Sequence, residues 1–90
     1  MAAILVITGD LHEPYKILDT VFAGGSAKEG WLSGADPSAA FTSVKEGLRE
    51  SCKKLGGNAV INCQFEYRVA IAGNKQVIEI FAYGTAVKTT

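Results

Sequence analysis

Charge of one sign is missing from this chain: nine basic residues cancel nine acidic ones, and no run of four like charges occurs. With no net field to recruit phosphate backbones or anionic lipid, nucleic acid is excluded as an expected partner. No stretch approaches the roughly 20 apolar residues of a membrane-spanning helix. The apolar start, Ile4 to Ile7, lacks the basic flank and the length of a signal peptide, so a cytoplasmic protein is expected. Cysteine is scarce, with only Cys52 and Cys63, too few for a disulfide scaffold and wrongly spaced for a zinc module. Histidine occurs once, at His12, which leaves nucleophilic catalysis a single imidazole, on a different element from either thiol. Neither a G-x-x-x-x-G-K nor a G-x-G-x-x-G pattern is present, so Gly24-Gly25-Ser26 and Gly30 read as a connection, not a phosphate cradle. No enzyme and no cofactor are expected.

What is present is a globular composition, 48% apolar and 20% charged over 90 residues, enough for one domain spanning 1–90. Residues 3–8 form a short β-branched apolar run, read as a strand covered on both faces. Residues 15–23 are again β-branched and aromatic, and read as a second, edge strand. Residues 24–36, with four glycines and Trp31, show no period and read as a loop.

Phe41, Val44, Leu48, Cys52 and Leu55 recur at steps of three and four, which places a helix over 37–55. Asp36 is its expected N-cap, Pro37 its first residue, Lys53 and Lys54 its cationic last turn, and Gly56 its terminator. Gly47, costly inside a helix, is expected to permit close approach to a sheet. Over 59–69 the odd positions are apolar, from Ala59 through Ile61, Cys63, Phe65 and Tyr67 to Val69, and define a core-facing side. Gly73-Asn74 makes a hairpin turn into a strand over 76–88, whose even positions suit a face under the helix. Its odd positions, which include Phe81 and Tyr83, are too apolar to stand in water.

The stretches from Lys54 to Ile61, Gln64 to Tyr67 and Phe81 to Val87 resemble the YbjQ-like family, often labelled a "putative heavy-metal-binding domain", and Tyr15 to Phe22 is similar to that family's second strand. Relatives carry a longer segment where this chain has 23–40. The resemblance implies an α+β fold, a two-layer β-α-β-β core of dodecin-like architecture with an extra N-terminal strand. It also implies an antiparallel sheet packed on one helix, with the last strand central, and a ring-forming homo-oligomer, typically a pentamer. It implies no established reaction.

Three functional readings follow. In the first, the domain self-assembles without enzymatic activity, with Phe81, Tyr83 and Trp31 at the oligomer interface and the function exercised by contacts or a ligand pocket between subunits. In the second it binds metal through His12 with Asp10 and Glu13, a set that needs an oligomer to bring several imidazoles together. Cys52 and Cys63, one on the helix and one on the adjacent strand, offer a soft-metal alternative against their ordinary role as small hydrophobes. In the third it takes an aromatic small ligand at Trp31.

Overall fold

A computed structural model describes residues 4–28 and 37–90, in which five elements follow one another: β1 (Leu5–Val6), β2 (Tyr15–Lys28), α1 (Pro37–Lys54), β3 (Ala59–Ala72) and β4 (Lys75–Thr89). Trp31 and the expected cap Asp36 lie outside the described residues. One helix packs on a four-stranded sheet of order β1-β3-β4-β2, so the fold is α+β and the last strand is central. The sheet is mixed where an antiparallel one was expected, because β1 pairs with β3 in parallel, Leu5 beside Ala59 and Val6 beside Val60.

The helix follows its pattern closely. Ala40, Val44, Leu48 and Cys52 are buried with Val60, Cys63, Ile80, Ala82 and Ala86 in one core cluster. Its end is a Schellman motif: the Gly57 N–H donates to the Cys52 carbonyl at 3.0 Å, and the Gly56 N–H donates to that of Lys53 at 3.0 Å. Gly56 supplies the left-handed residue this needs, with φ of 81°. Leu55, expected on the buried stripe, is exposed because it lies one residue past the last helical turn. Gly47 does permit close approach: a Cβ there would sit 2.9 Å from the Cβ of Ala23 on β2.

β2 runs five residues beyond the expected 15–23, through the glycines read as a loop. The helix is the reason. A Cβ on Gly25 would meet Val44 at 3.0 Å and the Ala40 carbonyl at 3.3 Å, so Gly25 is where the strand passes directly beneath α1. The Gly73-Asn74 turn stands as expected, with φ of 68° at Gly73 fitting a type II′ hairpin.

The alternation read along 59–69 breaks at Asn62. There β3 bulges, the register shifting between Ile61 and Gln64 opposite β4, with Asn62 at φ 52°. The bulge is held by the N-terminal segment, for the Asn62 N–H donates to the Gly9 carbonyl at 2.9 Å and the Cys63 N–H to that of Ile7 at 3.0 Å. Val60 and Cys63 therefore share the helix face, while Ala59 and Ile61 turn to the opposite face and join Val87 under Ile7, Leu11 and Tyr15. Ile61 is core, but the N-terminal segment covers it and α1 does not. The strand expected over 3–8 is only two residues long and is not covered on both sides: Val6 is buried and Leu5 exposed.

Candidate functional site

The side chains without a partner layer gather on the sheet. On the face away from α1, Phe22 lies directly across from Tyr83, and Gly24 across from Phe81, whose ring comes within 3.4 Å of where a Gly24 Cβ would stand. On the other flank of β4, Gln64 opposes Tyr83, and Glu66 opposes Phe81. Phe22, Phe81 and Tyr83 are 78%, 55% and 45% exposed, a row of aromatic surface across two adjacent strands. The N-terminal segment covers Val87 and stops short of them. Beyond Phe81 the face turns polar, where Arg68 and Glu79 pair across the strands at 3.4 Å. Both residues expected at the interface and described here, Phe81 and Tyr83, are thus brought together. Phe22, absent from that expectation, joins them through the β2–β4 register, which the alternation of either strand alone does not reveal.

A shallow apolar groove lies between the N-terminal segment and α1, lined by Val6, Ile7, Phe41 and Phe65 with Lys45 at its side. The rings of Phe41 and Phe65 stand 5.7 Å apart at 54°, so the two aromatics pack on each other at the groove floor.

The acidic turn has structural work. The Asp10 carboxylate accepts the Leu11 N–H at 2.7 Å and the Tyr15 hydroxyl at 2.9 Å, which pins the turn to the start of β2. That hydrogen bond raises the phenol of Tyr15 above its ordinary pKa, since ionisation would forfeit the donated proton beside a carboxylate. His12 and Glu13 are exposed. Cys52 and Cys63 are free thiols, both buried, in the same core cluster. The Cys52 Sγ–H donates to the Ala59 carbonyl at 3.4 Å and that of Cys63 to the Val60 carbonyl at 3.8 Å. Burial pushes both thiols up, away from the thiolate a soft metal binds. Among the described residues no three His, Cys, Asp or Glu side chains converge on a point where an ion could sit.

Over residues 37–90, which comprise α1, β3 and β4, the chain matches the YbjQ family described as "Putative heavy-metal-binding". The chain belongs to the YbjQ-like family. A search of curated proteins finds no match. In structure this YbjQ-like chain is similar to a DUF74-family protein of unknown function from Pediococcus pentosaceus ATCC 25745. The two align with a TM-score of 0.82 at 18% identity, over 97% of this chain and 98% of that one. At that identity the likeness is one of fold, and it extends to β1 and β2, outside the region of the family match. No helix among the described residues is long and apolar enough to cross a membrane.

Proposed function

We propose that this YbjQ-like chain is a non-enzymatic, cytoplasmic self-assembling domain. It closes into a homo-oligomeric ring, five subunits being the number the family resemblance implies, and acts through contacts or a ligand pocket between subunits. The observation that carries this reading is the aromatic row Phe22, Phe81 and Tyr83, exposed on the face of the sheet opposite the one that α1, the one helix among the described residues, covers. A small domain gains little stability to spare, and surface of this kind marks an interaction site on soluble proteins. The absence of enzymatic activity is supported by the separation of His12, exposed in its turn, from the two buried thiols.

The family description supplies a second reading, metal binding. The donors of a single chain do not fit it: Asp10 is committed to Leu11 and Tyr15, His12 lacks two further converging ligands among the described residues, and the thiols are buried. Among the described residues, such a set is completed by bringing several copies of His12 together, so this reading too draws on the assembly.

Light scattering coupled to size exclusion tests the proposal. A monodisperse mass several times 9.5 kDa is expected, and a mass near 9.5 kDa at tens of micromolar protein would refute it. Elemental analysis of the same peak separates the second reading: a fixed stoichiometry of one metal per several chains, lost in His12→Ala, would establish it.

A further inference from the structure

Both outer edges of the sheet are open at the same end, and the open stretch of each carries little of the usual protection: two charges on β3, Glu66 and Arg68, and none on β2 between Thr20 and Ala27. β2 is an edge strand along its whole length, Tyr15–Lys28, and from Thr20 to Ala27 it contains neither a charge nor a proline. On the opposite side β1 covers β3 only at Ala59 and Val60, with the adjoining bonds at the bulge. From Gln64 to Ala72, β3 has no strand partner on its outer edge among the described residues. An edge without a strand partner pairs with other strands unless it is blocked or closed, and Glu66 and Arg68 alternate onto the face away from α1, beside Phe81 and Glu79.

A third feature lies between these two. Tyr67, Val69 and Ile71 alternate along β3 on the same side as Phe65, which is the helix face, yet are 67%, 55% and 76% exposed. The cause is the position of α1, which packs chiefly over β2 and β4 and reaches β3 at Phe65 through Phe41. The helix therefore lies toward the β2 side of the sheet, and the far end of β3 is left bare on the face the helix would otherwise cover.

Resting on the ring reading above, we infer that subunits join by strand addition, the outer edge of β3 at Gln64–Ala72 pairing with β2 of the next copy. A second copy is the occupant because it meets both needs in one step. Its β2 supplies the missing strand, and its α1, which travels with β2, is carried over Tyr67, Val69 and Ile71 as the sheet continues. Two different edges meet at each junction, so the contact is head-to-tail, and such contacts give a ring where the rotation between copies closes, an open filament where it does not, and never an isolated two-fold dimer. Backbone hydrogen bonds supply the pairing, and the apolar row supplies the register.

Residue-resolved hydrogen exchange on the assembled protein, with Val69→Lys as the comparison, tests this. Val69 is already solvated in the single chain, so lysine there leaves the subunit folded, as circular dichroism would verify. Outward-facing amides of both Gln64–Ala72 and Tyr15–Lys28 are expected to exchange at least tenfold more slowly in the assembly than in Val69→Lys, whose mass falls toward the subunit's. An assembly in which either edge exchanges freely would overturn strand addition and leave the ring intact. An assembly that Val69→Lys does not weaken would overturn the placement of the neighbouring helix. A monomeric parent protein would overturn both the strand addition and the ring.

Discussion

At the scale of single residues the two thiols make the sharpest case. Cys52 and Cys63 have almost no accessible surface, and burial holds both neutral. A serine at 63 would bury a hydroxyl whose nearest acceptor, the Val60 carbonyl, is 3.8 Å from the sulfur it replaces, too far for an O–H bond. Cys63→Ser should therefore cost about 1–3 kcal/mol. Cys52→Ser, with the Ala59 carbonyl at 3.4 Å, should cost less, and denaturant midpoints of the two variants rank them. The raised thiols also set a pH dependence. The folded chain keeps these protons to higher pH than the unfolded chain does, so unfolding releases them. Their contribution is complete below the unfolded thiol value of about 8.5 and is lost as pH rises through the folded values. Unfolding midpoints followed from neutral to alkaline pH should fall in the parent, and fall less steeply in Cys52→Ala/Cys63→Ala.

At the scale of elements, α1 and the β3 bulge behave against simple propensity. Alanine normally stabilises a helix by up to about 1 kcal/mol over glycine. At position 47 the sign should reverse, because the new Cβ would lie 2.9 Å from that of Ala23, and neither the helix nor β2 can move without opening the core. Gly47→Ala is expected to lower the thermal midpoint, and Ala23→Gly in the same chain to recover part of the loss. Asn62 holds the left-handed conformation that lets β3 bulge, which a β-branched residue tolerates poorly. Asn62→Val should destabilise by about 1–2 kcal/mol through that strain, whereas Asn62→Gly should not, and equilibrium unfolding of the pair measures the difference.

At the scale of the whole molecule, the proposed assembly makes a prediction about the aromatic row opposite the helix. If the row is the proposed subunit contact, a carboxylate among Phe22, Phe81 and Tyr83 puts an unpaired charge where water is excluded. Phe81→Glu or Tyr83→Glu should dissociate the oligomer with the subunit's secondary structure retained, since both residues are already exposed in the single chain. Light scattering reads the mass and circular dichroism the fold. The molecule is elongated, 50 Å against 23 and 21 Å.

Local signals in the sequence were sufficient where a single element carries its own information. Proline at the start, a period of three to four, lysines in the last turn and a terminal glycine define α1 to within a residue, because helix bonds and caps are made within the segment. Gly73-Asn74 defines its hairpin for the same reason. The strand through Gly24 and Gly25 is hidden in the sequence, since glycine reads as a loop until α1 packs on one face of it and Phe81 on the other. The bulge at Asn62, the parallel β1 and the transfer of Ile61 to the second core cluster rest on bonds to Ile7 and Gly9, more than fifty residues away in the chain. Phe81 and Tyr83 could be singled out from alternation alone, whereas Phe22 and the bare row from Tyr67 to Ile71 emerge only from strand register and the position of α1. Periodicity specifies which side chains share a face; which faces are covered depends on how far each neighbouring element reaches, and that is decided by tertiary packing.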